Sequence, residues 1–172
     1  DGLPRRMWQQ FAASGVMRFP SEMAEKRLVR LLPDGERDET FNNSGLGSGG
    51  IRPWQDDRFY VMGSYTPRRI WSNTGINDGT FAVGSGTVPY FIPSTTGDYH
   101  VFPDGRVLMS GSHTLNDPVR GFVGNYELIW FTNTGHLDTT KTHRYCNGVI
   151  YEIEQQPDGK FLCSGTCSTY EG

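Results

Sequence analysis

The sequence has no basic excess. Its 16 Lys and Arg are outnumbered by 19 Asp and Glu, for a formal net charge of −3. No surplus of cations is available to neutralise phosphates, so nucleic acid is a poor default partner. No apolar run approaches the ~18 residues of a membrane-spanning helix, so membrane insertion by a helix is not expected. The opening stretch DGLPRRMWQQFAASG carries basic residues but no long apolar segment, and no signal peptide is read in it. Cysteine is scarce and odd in number: Cys146, Cys163 and Cys167. That is not a disulfide framework. No histidine set accompanies Cys163 and Cys167 in a zinc pattern, and the three are expected to serve as small buried apolar residues. Hydrophobic residues make up only 35%, yet aromatics reach 13%, too many for a disordered chain. The 22 Gly and 10 Pro break helices. Together these features predict an all-β protein with many tight turns.

What is present is self-similarity. Four segments share a turn, a short apolar run and then a small residue with Gly: WQQFAASG, DDRFYVMGS, PDGRVLMSGS and PDGKFLCSGT. They place A strands near 8–15, 56–64, 103–112 and 157–166. Their landmark glycines, Gly15, Gly63, Gly111 and Gly165, recur at intervals of about 50 residues. A second unit alternates with the first: RLVRLLPDGERDETF, RRIWSNTGINDGTF and ELIWFTNTGHLDTT. It places B strands near 27–32, 68–72 and 127–132, with Trp71 and Trp130 read as the same B-strand position. The turns have a mechanism. In Pro33-Asp34-Gly35, Pro103-Asp104-Gly105 and Pro157-Asp158-Gly159, Pro presets φ, Asp bonds its own backbone and Gly accepts positive φ.

Several short strands per ~50 residues, repeated, predict β-propeller blades. The runs FYVM, VLM and FLC do not alternate with polar residues. That is expected of a sheet covered on both faces. The stretches Val16–Lys26 and His113–Asn125 read as long surface loops between A and B strands. One local reading competes: Ser21 as a cap, with Glu22 and Lys26 spaced i, i+4, suits a helical turn. Leu28–Leu32 after it matches the other B strands.

The chemistry-bearing residues do not assemble into a known catalytic pattern. The acidic run Asp34 to Glu39 could ligate calcium, but the corresponding stretches Asn73–Asp78 and Asn133–Asp138 do not keep the ligand set. Asp38, Asp78 and Asp138 are expected to bond nearby backbone N–H groups, with no metal. His100, His113, His136 and His143 fall at unrelated repeat positions and read as surface or strand residues. No nucleophile elbow, zinc-protease, P-loop or dinucleotide motif occurs, and no cofactor is expected. Glu152 and Glu154 share one face of a strand. With Asp98 they form the one carboxylate set that acid–base chemistry on a polysaccharide would use. Trp54 and Tyr65 are the binding candidates, as aromatics near strand ends.

The segments QQPDGKFLCSGTCSTYEG and RLVRLLPDGERDETFNNSG resemble the delta-60 repeat, a β-propeller repeat family. THRYCNGVIYEIEQQPDGK resembles the family's stretch leading into the next PDGK turn. The likeness runs from about residue 8 onward. It fades at Trp54–Gly63, where Asp56-Asp57 stands in place of the turn. The resemblance implies three complete blades and a partial fourth, part of a larger or multi-chain propeller. Its exposed sheet edges would be closed by protein partners or by further blades of the same polypeptide. It also implies a non-enzymatic structural or binding module of an extracellular assembly, such as a phage tail or fibre or a bacterial surface adhesin. The expected location is then extracellular, cell-surface or virion, and glycan is a possible ligand. The alternative is a propeller-type polysaccharide hydrolase or lyase.

Overall fold

The structure, a computed structural model, describes residues 28–42, 50–63, 65–83 and 91–171. The A strand placed near 8–15, with Gly15, and the helical turn read at Ser21–Lys26 lie outside them. Among the described residues there is no helix. Eight strands form three antiparallel sheets in chain order. The first holds β1 (Ile51–Trp54), β2 (Arg58–Met62) and β3 (Pro67–Trp71). The second holds β4 (Phe91–Val101), β5 (Val107–Asp117) and β6 (Phe122–Phe131). The third holds only β7 (Ile150–Gln155) and β8 (Phe161–Gly165). The A segments thus supply the middle strand of the first two sheets and one strand of the third. The B segments near 68–72 and 127–132 supply β3 and β6, whereas the described part of the segment near 27–32 holds only an isolated bridge, Leu31 with Arg37.

Local chemistry sets the hairpins. At Pro103-Asp104-Gly105 the Gly105 N–H donates to the Phe102 carbonyl (2.8 Å), and Asp104 Oδ1 accepts from the Arg106 N–H (3.1 Å). The same pair of bonds recurs at Gly35 with Asp34 and at Gly159 with Asp158. All three glycines have φ between +84° and +88°, the left-handed region that L-residues avoid. The landmark glycines answer to a different need. Gly111 (φ +133°) faces Thr96 at a shift of register in both ladders of β5, and a Cβ there would run into the Thr95 carbonyl. At Gly165 a Cβ would run into the Val149 carbonyl, beside the register shift between β7 and β8. These are sites where only a bare backbone fits.

Packing explains the missing alternation. Tyr60 and Met62 of β2 join Tyr99, Val107, Met109, Ile129 and Phe131 in a core between the first and second sheets. Val61, between them in sequence, faces the other way and packs with Ile70 and Phe41. In β5 and β6, Leu108 and Leu128 turn from the first sheet toward Cys146, Ile150 and Ile153 of the third. Successive residues of one strand therefore enter two different cores. Residues 28–42 and the three sheets stack in chain order, and β4 lies against β1 on one side and β7 on the other.

The stretch His113–Asn125 is not a loop. β5 and β6 continue through it as a long hairpin with Thr114 opposite Asn125 and Leu115 opposite Gly124. Asp117 closes it by accepting from the Arg120 N–H and guanidinium. The signal was the alternation around the buried Leu115.

Gly111→Ala should lower stability by at least ~2 kcal/mol, because a rigid carbonyl opposes the new methyl. Gly159→Ala, where nothing lies within 4 Å, should cost only the left-handed strain of ~1 kcal/mol. Urea unfolding followed by tryptophan fluorescence separates the two.

Candidate functional site

The three B units end in one repeated device. Asp38 Oδ1 accepts from the Thr40 N–H (2.9 Å) and hydroxyl (2.6 Å). Asp78 does the same with Thr80 (2.9 and 2.6 Å), and Asp138 with Thr140 (3.0 and 2.6 Å). The other carboxylate oxygen takes an arginine: Arg30 Nε to Asp38 (2.8 Å) and Arg69 Nε to Asp78 (2.6 Å). Those arginines then reach the next module. Arg30 donates to the Ser72 carbonyl (2.6 Å) and Arg69 to the Asn133 carbonyl (3.1 Å). Backbone bonds run in parallel, from Asn42 to Thr74 and from Ala82 to Thr134. The acidic run is thus a seam between stacked modules. Among the described residues no group of three or more His, Cys, Asp or Glu is arranged to hold a metal ion.

The device corrects the alignment of the tryptophans. The Asp N–H bonds to the carbonyl of Arg30, Arg69 and Trp130 in the three units. Trp130 therefore occupies the arginine position, while Trp71 matches Leu32 and Thr132. One extra residue in the middle turn, where the Gly75 N–H reaches back to Trp71 four residues away instead of three, masks the offset: the tryptophans stand four and five residues before their glycines, yet two register positions apart. A second exchange accompanies it. Arg30 lies over the Phe41 ring (5.0 Å) and Arg69 over Phe81 (5.3 Å). In the third unit the aromatic and the cation trade places, with Lys141 Nζ 5.5 Å from the Trp130 ring. The cation–π contact survives the swap.

Trp54 is built into a seam. Its indole N–H donates to the Pro103 carbonyl (3.1 Å), its ring meets Tyr60 edge-on, and the Arg69 guanidinium lies 4.7 Å from the ring centre. Tyr65, in the turn between β2 and β3, is 50% exposed. The histidines divide. His113 and His143 are buried, and burial pushes His143 down to about 4. Its neutral Nδ1 accepts the Trp130 N–H (3.1 Å).

Two clefts flank the third sheet. One, of about 700 Å³, is lined by Asp98, Glu152 and Glu154 together with Arg52, Tyr151 and Leu162. The three carboxylates do meet in one cleft, where two of them have polar partners. Asp98 is paired with Arg52 at 3.3 Å, and Glu152 accepts from the Ser164 hydroxyl at 3.4 Å. Glu152 and Glu154 project from one strand.

The larger cleft, of about 990 Å³, runs beside β8 between the second and third sheets. Leu108, Leu128, Trp130, Ile150 and Phe161 line it, with Lys141 on its wall. At its foot Cys146 and Cys167 form a disulfide, with Cα atoms 5.7 Å apart. This corrects the expectation of three unpaired cysteines. The bond closes the β7–β8 hairpin at its base, where the Cys146–Tyr170 bridge already pairs the two flanks. Bridging 21 residues stabilises by roughly 3 kcal/mol on the loop-entropy argument. The buried Glu127 carboxylate accepts the Cys146 N–H (2.8 Å), and burial raises its carboxyl. Only Cys163 is left free, exposed on β8.

No family model matches this chain, and no match is found among curated proteins or solved structures.

The most buried copy of the seam generates a pH dependence. Arg69 and Asp78 are 4% and 2% exposed. Burial alone would raise the Asp78 carboxyl, but the Thr80 hydroxyl and amide and the Arg69 guanidinium outweigh it and hold it below its ordinary value. A depressed carboxyl contributes stability that is full above the ordinary 3.8 and is lost as pH falls through the folded value. Asp78→Ala should cost about 3 kcal/mol near neutral pH by stranding Arg69. It should also flatten the acid limb of the stability profile, read by thermal unfolding between neutral pH and strong acid.

Proposed function

We propose that this chain is a run of β-propeller blades of the delta-60 repeat kind, serving as a non-enzymatic structural and binding module. A part in an extracellular assembly, such as a phage tail or fibre or a bacterial adhesin, follows from that resemblance. The observation that carries the reading is the seam: residues 28–42 join the first sheet, and the first sheet joins the second, by the same Arg, Asp and Thr contacts. Such a stack is rigid and modular, and its chemistry is spent on holding modules together. The contacts of β4 with β1 and β7 fit blades that converge on one side. Protein is the partner class the resemblance favours; Tyr65 and the hairpin tips offer surface for it or for a glycan.

The polysaccharide hydrolase or lyase reading has one observation in its favour, the shared cleft of Asp98, Glu152 and Glu154. Glycoside hydrolysis needs two carboxyls facing each other across the scissile bond. Here the two glutamates flank one side of the cleft and Asp98 is tied to Arg52.

The module reading predicts self-association that rises with concentration, measured by sedimentation and light scattering. A monodisperse monomer throughout, or glycan cleavage abolished by Glu154→Gln, would overturn it.

A further inference from the structure

The outer edge of β6 is covered by the connection that leads from the second sheet to the third. The Trp130 carbonyl takes the Asp138 N–H (2.9 Å), and Leu128 exchanges backbone bonds with Arg144 in both directions (3.1 and 2.9 Å). Between these contacts the Trp130 N–H is met by a side chain: it donates to His143 Nδ1 at 3.1 Å. One imidazole nitrogen thus stands in for a strand carbonyl.

The acceptor role fixes the tautomer. Nδ1 accepts only while the ring proton sits on Nε2. Nε2 is buried without a hydrogen-bond partner among the described residues, and His143 as a whole is 4% exposed. The rings of Phe122 and Tyr126 lie edge-on to it at 4.6 and 6.0 Å. A second proton would therefore act twice. It would turn N–H against N–H at Trp130, and it would leave a charge in an aromatic surround.

Few groups are placed to answer that charge. On its own segment stand Asp138, Lys141 and Arg144. Asp138 favours the proton, but its Oδ1 already serves Thr140. Lys141 lies over the Trp130 ring, and Arg144 reaches Glu171. β6 presents Phe122 and Tyr126, and its Glu127 is engaged with the Cys146 N–H. On β5, His113 opposite Tyr126 is buried, and Asp117 opposite Phe122 is closed by Arg120. Burial outweighs the pull of Asp138 and holds His143 at about 4.

We infer that His143 is an acid-operated latch: protonation of its imidazole frees residues 139–144 from the outer edge of β6 and loosens the connection between the second and third sheets. The ends of the connection stay fixed. Asp138 keeps Thr140, and Cys146 is held by Glu127 and by its disulfide to Cys167. Release is therefore local. The closed form takes no proton until pH nears 4, whereas the open form takes one from the ordinary 6.5. Opening is indifferent to pH above 6.5, grows about tenfold for each unit the pH falls toward 4, and levels off below.

Amide hydrogen exchange by NMR on the full chain, from neutral pH down to about 4 and expressed as protection relative to the unfolded peptide rate, tests this. Protection at Trp130 should fall about tenfold per unit below 6.5, while Met109 inside the same sheet holds its own. His143→Asn puts a non-titrating acceptor oxygen in the place of Nδ1, and Trp130 protection should then ignore pH across this window. Three results would each overturn the latch: Trp130 protection that ignores pH in the wild type, an equal fall in His143→Asn, or a parallel fall at Met109, which would mean global acid unfolding. Should the variant not fold, the nitrogen shifts of the His143 ring decide. A single proton on Nε2 near neutral pH, with titration well below 6.5, supports the latch; a proton on Nδ1 contradicts it.

Discussion

A short strand with apolar residues at consecutive positions is tolerable only if both faces of its sheet are covered. That constraint governs this molecule. Tyr60, Val61 and Met62 follow one another in β2, and all three are buried, because Val61 enters one core and its neighbours another. Leu108 and Met109 divide in the same way in β5. No sheet here makes a self-sufficient core. Each depends on the next, which is how a chain with only 35% hydrophobic residues builds three buried clusters between its modules.

The seams convert that dependence into specificity. Apolar contact alone would let one module slide on another; an arginine that holds its own Asp and also a carbonyl of the next turn does not. The first copy of the device is partly open to solvent and the second fully buried. The same bonds therefore weigh differently, weakly at Arg30 and heavily at Arg69. In the third copy Trp130 and Lys141 keep the aromatic and the cation but reverse them. What is retained between copies is the physical contact, with the residue identities free to change around it.

The parts of this arrangement legible in the sequence were those set by local chemistry. The Pro-Asp-Gly turns bond as their composition requires, and the middle strands and β3 and β6 fall on the apolar runs. The parts set by tertiary partners were not legible. Cys146 and Cys167 pair because a hairpin brings its ends together, and a spacing of 21 residues announces no such thing. Trp71 and Trp130 stand two register positions apart, and one inserted turn residue before Gly75 brings their distances from the turn glycines close enough to hide it. The Asp-x-Thr spacing at Asp38, Asp78 and Asp138 was in plain view, and Thr40, Thr80 and Thr140 were the signal missed. Trp54, named as a binding candidate, has its indole N–H on the Pro103 carbonyl. Asp98, Glu152 and Glu154 were named together from the sequence, and they do share one cleft, but the Arg52 that ties Asp98 was not foreseen.

The claim that coverage on both faces holds the fold together is tested most directly by residue-resolved hydrogen exchange. If it is right, protection is greatest in β5, lower in β2, and lowest in β8, whose Leu162 is 60% exposed. Protection that is equal in β5 and β8 under conditions where the chain is monomeric would contradict it.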